Sequence, residues 1–176
     1  MHKTCPVSLM DKTMDSGSID MGSIPIRDAS IEYRLISGLC SFTISLGDIM
    51  NIRCGIDIVE LDRFSRALST GDSFKNKVFT PNERSYCESL GKNSLQSYAA
   101  RFCAKEAVAK ALGTGISKGI SFQDIEVLNE ENGKPTVYLH GEAANIYEML
   151  GSKAIDISLT HSRDYAAAQA VILTGE

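Results

Sequence analysis

Two carboxylates, Asp57 and Glu106, rise from apolar surroundings in separate predicted elements, and with Lys110 they form the residue set best suited to chemistry. Glu106 lies in the run from Tyr98 to Gly115, which is otherwise apolar or small nearly all round, the mark of a helix that belongs inside a protein. At about 100° per residue, Leu95, Ala99, Phe102 and Ala109 fall within roughly 60° of Glu106, and Lys110 lies one turn on. A carboxylate on such a stripe must be paired, hydrogen-bonded or bound to a cation. An ordinary i,i+4 pair with Lys110 meets that need, and so does a metal ion. Upstream, the alternation from Ile52 to Val59 predicts a strand with Ile52, Cys54, Ile56 and Ile58 on one face. Asp57 looks the other way with Arg53, Gly55 and Val59, and Gly55 leaves room there for a ligand or another backbone. Two carboxylates from separate elements suggest a divalent site completed by water and substrate phosphates, as magnesium is commonly held.

Other candidates surround this pair. Gly113-Thr-Gly115 ends the helix, with Gly113 placed to take the left-handed closing conformation and a second glycine leaving backbone N–H groups that could approach a phosphate. Arg101 on the same buried helix suits bidentate binding of a phosphate or carboxylate, or a structural ion pair. Arg63 and Arg66 stand three apart on one side of a helix near Glu60 to Ser69. His161 closes a strand in phase with Ile155, Ile157 and Leu159, so it is either a core histidine or a site residue. Asp164 reads as a turn residue.

Five ordered motifs then carry a resemblance: Gly55-Ile-Asp-Ile-Val-Glu-Leu-Asp-Arg63, Phe79-Thr-Pro-Asn-Glu83, Arg101-Phe-Cys-Ala-Lys-Glu-Ala107 with Lys110-Ala and Gly113-Thr-Gly-Ile116, Gly133-Lys-Pro135, and Ser158-Leu-Thr-His161. In order and spacing they resemble the holo-acyl-carrier-protein synthase family, the short homotrimeric 4′-phosphopantetheinyl transferases. The resemblance runs from Met50 to the C-terminus. It implies transfer of phosphopantetheine from coenzyme A to a serine of apo acyl carrier protein, releasing adenosine 3′,5′-bisphosphate, in fatty acid biosynthesis. Mapped onto this chain, the family's magnesium carboxylates fall on Asp57 and Glu106, and its phosphate-approaching lysine on Lys110. Glu106 or a metal-bound water would take the serine proton. Arg101, Gly113 and Lys92 match positions that serve coenzyme A, although Asn93 thins the basic cluster around Lys92. His161 would reach a neighbouring subunit's coenzyme A site, and Arg63 with Arg66 would dock the acidic carrier.

These residues require a particular set of elements. Thr80-Pro81-Asn82-Glu83 opens a helix with a capping threonine, proline at its first position and a capping-box glutamate. Strands are predicted over 121–128, 135–140, 155–161 and 165–173, the last alanine-rich, with a turn at 129–133 and a helix over 142–150 stopped by Gly151. The mixture predicts an α+β fold of the phosphopantetheinyl transferase type, an antiparallel sheet packed around a long buried helix. Residues 50–176 make one domain of adequate core size. Within residues 1–49 the stretch from Met14 to Pro25 is rich in turn formers and lacks either hydrophobic period, and Leu35 to Ile44 is more apolar but short, so the segment reads as a disordered or non-native extension, with Met50 as the functional start.

Composition narrows the classes. No apolar run is long enough to span a bilayer, and the N-terminus lacks the pattern of a secretion signal. Five cysteines without paired or metal-type spacing fit reduced thiols, hence a cytoplasmic protein. A net charge of −4 offers no basic stripe for nucleic acid, while local arginines still allow an acidic protein partner. Two other classes compete: a magnesium-dependent phosphohydrolase would use the carboxylates without needing Arg63 and Arg66, and a non-enzymatic trimeric binding module would use the arginines without needing the carboxylates.

Overall fold

Helix α4, Ser94–Leu112, organises the molecule: it is 19 residues long and is buried on nearly every side from Ser97 to Leu112. The computed structural model describes residues 50–116 and 119–175. The extension expected over residues 1–49 lies outside the described residues. In chain order, β1 (Asn51–Glu60) leads into α1 (Leu61–Leu68), α2 (Asp72–Val78), α3 (Pro81–Ser89) and α4. There follow β2 (Ile125–Asn129), β3 (Pro135–Leu139), α5 (Gly141–Met149), β4 (Ser152–His161) and β5 (Tyr165–Thr174). β1, β5 and β4 form an antiparallel sheet in that order, and β2 and β3 form a separate hairpin.

Small residues explain how the helix lies so near the sheet. A Cβ on Gly55 would sit 2.0 Å from the Ala107 carbonyl oxygen and 2.8 Å from the Ala111 nitrogen. Of the two openings Gly55 offered, a ligand or another backbone, the backbone of α4 occupies it. The alanines of β5 serve the same approach, since Ala166, Ala168 and Ala170 are the buried residues that face α4. Alanine, poor in strand propensity, is here selected by the space between two backbones.

Two apolar clusters flank the helix. One joins Cys103, Ala107 and Val108 to Ile157 and Ile172 of the sheet and Ile125 and Val127 of the hairpin. The other joins Tyr98 and Ala99 to Leu61 and Phe64 of α1 and to Phe79. α3 begins as expected: Thr80 and Glu83 exchange the reciprocal capping bonds, with Pro81 in the first turn. α4 ends on Gly113 at φ 87°, the expected left-handed closure.

Three features depart from expectation. The strand expected from Ser121 begins at Ile125, because Ser121 and Asp124 cap a short 3₁₀ turn over Phe122–Asp124 first. α2, short and opened after Gly71, has no counterpart in the periodic reading. The apolar face of β1 points outward: Ile52, Ile56 and Ile58 are 70%, 67% and 64% exposed, while the Arg53, Gly55, Asp57 face meets α4.

Candidate active site

β1 runs against α4 so that Arg53 meets the helix end and Asp57 meets the turn containing Glu106 and Lys110. The Lys110 ammonium donates to the Ile56 carbonyl at 2.9 Å and to Asp57 Oδ1 at 2.8 Å. Lys110 therefore reaches across to the strand, and the ordinary helix pair with Glu106 is not the arrangement adopted. Glu106 stays half-buried, its carboxyl pushed above its usual pKa chiefly by burial and secondarily by the Asp57 charge, with Lys110 opposing both. A half-buried carboxyl beside a second carboxylate makes a place for a cation.

Asp57 and Glu106 line a cleft of about 450 Å³. Arg63 stands on its polar side, and Phe64, Phe74 and Phe102 form an apolar wall. The rings belong to a chain of edge and tilted contacts, Phe64 to Phe74 at 6.1 Å and Phe64 to Phe102 at 5.5 Å. Arg66 is exposed on the same helix as Arg63. The sequence identified the charges of this cleft but not its aromatic wall, because Phe74 lies in α2, too short to show a period.

The remaining candidates lie apart from the cleft. Arg101 is 4% exposed. Its guanidinium donates to the Val127 carbonyl at 3.1 Å and to Ser97 Oγ at 2.6 Å, bonds Asn129, and stacks 4.3 Å from the Tyr86 ring. Those partners spend its donors within the fold, so its geometry is that of a brace between α4 and the hairpin. The Gly113 backbone lies at the helix end beside Arg53, and Lys92 is exposed in the turn Gly91–Asn93 ahead of α4. His161 is exposed at the end of β4, opposite Ala166, and does not line the cleft.

Two further charged groups were not singled out for what they do. Lys105 and Glu83 form an ion pair at 2.7 Å, both wholly buried. Arg53 donates from Nε to the Ala111 carbonyl at 2.8 Å and from a terminal nitrogen to the Leu112 carbonyl at 3.2 Å. Its signal was present in the face it shares with Asp57 and Gly55.

The donor set can be tested against magnesium. Among the described residues no group of three or more His, Cys, Asp or Glu side chains converges on one point. Asp57 and Glu106 thus supply two hard oxygen donors beside an open cleft, leaving the remaining positions to water and substrate oxygens. That composition fits magnesium, which keeps several waters and binds through one or two carboxylates plus phosphates.

Residues 53–170 match the model of the 4′-phosphopantetheinyl transferase superfamily, and the chain belongs to that superfamily. It is 52% identical over 128 residues to a holo-[acyl-carrier-protein] synthase of Ruminiclostridium cellulolyticum, covering 72% of this chain and 96% of that relative. A holo-[acyl-carrier-protein] synthase of Chlamydia caviae is 47% identical over 120 residues, covering 68% of this chain and 94% of its own. Among solved structures, the holo-(acyl-carrier-protein) synthase of Bacillus anthracis in complex with CoA (3′,5′-ADP) is 38% identical with a TM-score of 0.60, covering 71% of this chain and 98% of its own. The Helicobacter pylori synthase in complex with coenzyme A is 28% identical with a TM-score of 0.58, covering 68% and 98%. The family resemblance and the α+β fold, an antiparallel sheet against a long helix, are both borne out.

Proposed function

We infer that this protein transfers 4′-phosphopantetheine from coenzyme A to a serine hydroxyl of apo acyl carrier protein, releasing adenosine 3′,5′-bisphosphate, and so serves fatty acid biosynthesis. The observation that carries this reading is the convergence of Asp57, Glu106 and Arg63 on one cleft, in a chain 52% identical over 128 residues to a holo-[acyl-carrier-protein] synthase. The serine oxygen forms a bond to the phosphorus bearing pantetheine as the pyrophosphate bond breaks, and the electron pair leaves on the nucleotide phosphate. Asp57 and Glu106 would hold magnesium, which when bound neutralises charge on the pyrophosphate. Lys110 adds positive charge beside Asp57. Glu106, which lines the cleft beside Asp57, or a water on the metal would take the serine proton. Incubation with coenzyme A, magnesium and an apo carrier tests the reading by mass spectrometry. A carrier gain of one phosphopantetheine supports it; free pantetheine phosphate without carrier modification indicates a phosphohydrolase; neither product indicates a binding module.

Arg63 and Arg66, exposed on α1 beside the cleft, dock the acidic carrier. Arg63→Glu, alone or with Arg66→Glu, raises the carrier's KM about tenfold or more while that of coenzyme A changes little, because reversed charge slows steered association. Initial rates with each substrate varied in turn measure this, and equal effects on both substrates would move Arg63 to the nucleotide.

The outward face of β1 supports a homotrimer. Ile52, Ile56 and Ile58 share this exposed face with Cys54, whose cross-strand partner is the exposed Val171 of β5, an apolar patch of the kind that marks an interaction surface. In the trimer His161 serves a site whose carboxylates belong to a neighbour, with Lys92 and Gly113 at the same coenzyme A. Ile56→Asp places a charge in that interface and dissociates the trimer with loss of activity, read by light scattering and turnover. A variant that remains trimeric relocates the interface. Mixed trimers of Glu106→Gln and His161→Ala chains recover activity if the site is shared, and stay inactive if it is not.

Among the described residues no helix is long and apolar enough to cross a membrane. Cys54, Cys87 and Cys103 are free thiols, which fits action in the cytoplasm. Residues 50–176 carry the function, and a protein beginning at Met50 keeps the oligomeric state and turnover of the whole chain. The superfamily match over residues 53–170 supports this. Loss of either property on truncation would assign residues 1–49 a working part.

A further inference from the structure

We propose that Arg53 is a positioning residue for the carboxylate pair: its guanidinium fixes the register of α4 along β1 and thereby sets Glu106 against Asp57. The inference rests on reading those carboxylates as a cation site.

Three fastenings join the strand to the helix. Gly55 lets the backbones touch beside Ala107 and Ala111, which sets how near they come and roughly where, but it ties no polar group of one to the other. Lys110 ties the helix to Ile56 and Asp57, yet half of that tie is to the carboxylate a cation would engage. Arg53 alone grips the helix end, through two carbonyls of the last turn that have no partner within the helix. A positive charge is favoured there by the helix dipole, and the planar fork holds two acceptors at a set angle.

The grip also dictates the residue next to it. A Cβ on Gly113 would lie 2.5 Å from the tip of the Arg53 guanidinium and would displace it from its carbonyls, while the φ of 87° by itself favours glycine. A slide of one residue along α4 moves Glu106 by about 1.5 Å. Magnesium demands oxygen distances of about 2.0–2.1 Å in near-octahedral array, so a slip of that size spoils the pair as a ligand set.

The test compares full-length wild type, Arg53→Lys and Arg53→Ala in three measurements. Manganese binding is read by electron paramagnetic resonance without coenzyme A, the magnesium concentration for half-maximal carrier modification by kinetics, and the unfolding temperature by calorimetry. Arg53→Ala should weaken manganese binding and raise the magnesium midpoint by about tenfold, as loss of a group that orients a ligand does. Arg53→Lys, which keeps the charge but loses the fork, should fall between. A lowered unfolding temperature with unchanged manganese affinity would make Arg53 merely stabilising and overturn the proposal. If Arg53→Ala does not fold, Arg53→Lys decides on the same criterion. Wild type that binds no manganese overturns the inference even if it modifies the carrier. Wild type that binds manganese with the expected Arg53 dependence, yet modifies no carrier, removes the transferase reading and leaves the inference standing.

Discussion

Glu106→Gln and Asp57→Asn each lower carrier modification by roughly 10²-fold or more at limiting magnesium, with helix content and oligomeric state unchanged. Each swap keeps the shape of the side chain and removes one charge from a site with two carboxylate donors. The amide introduced by Asp57→Asn would still offer Lys110 a carbonyl acceptor in place of the 2.8 Å contact, so strand and helix stay joined. Magnesium should raise the unfolding temperature of wild type and of neither variant, because a ligand stabilises only the state that binds it. The pH dependence follows from the raised Glu106 pKa. A ligand must be deprotonated, so the magnesium midpoint falls as pH rises through that pKa, and Glu106→Gln flattens the fall. An acid whose folded pKa lies above its unfolded value contributes stability at low pH that is lost as pH rises through the two values. Without cation at neutral pH, Glu106→Gln should therefore be at least as stable as wild type. Near wild-type turnover of either variant at limiting magnesium would sink the metal assignment.

Lys105→Met destabilises the fold by about 3–5 kcal/mol, the usual cost of leaving one member of a buried ion pair alone. All three ammonium donors are used: Glu83 Oε2 at 2.7 Å, the Val78 carbonyl at 2.8 Å and the Phe122 carbonyl at 2.9 Å. Burial pushes the Lys105 pKa down and the Glu83 carboxylate pulls it back up. Glu83 in turn accepts from the backbone of Thr80 at 2.8 Å and Val127 at 2.9 Å, so the pair ties α3, α4 and β2 together. Glu83→Gln combined with Lys105→Met should cost less than the two changes summed, by about 0.5–3 kcal/mol, since the orphaned charge disappears. Urea unfolding at one fixed protein concentration measures the cycle. Strict additivity would show that the pair is not coupled.

The site was legible where its signals are local. Thr80, Pro81 and Glu83 open α3 within one turn, and Gly113 closes α4 by its own conformation. Glu106 was marked by the apolar residues a turn away, and Asp57 by the alternation of its own strand. Their convergence on one cleft is consistent with both readings. Arg101 was not legible in this way, because its partners Val127 and Asn129 lie in the hairpin, far along the chain. A guanidinium in a buried helix announces that it needs acceptors, not which acceptors it will find. Lys105 sat in the same helix as Glu106 with an equally anomalous charge, and only the fold shows that it pairs inward with Glu83.

Periodicity, capping and the spacing of charges are properties of a few consecutive residues, so the sequence by itself determined the long buried helix, its C-terminal end, the strand bearing Asp57 and the types of residue that could form the site. It did not determine which face of β1 is covered. Ile52, Ile56 and Ile58 would ordinarily take the core side. The opposite face is inside because Gly55 alone allows the α4 backbone to approach, and because Arg53 and Asp57 find the helix end and Lys110 there. Only the tertiary structure decides such a contest, since burial is settled between elements remote in sequence, by close packing and by the need of each buried charge for a partner.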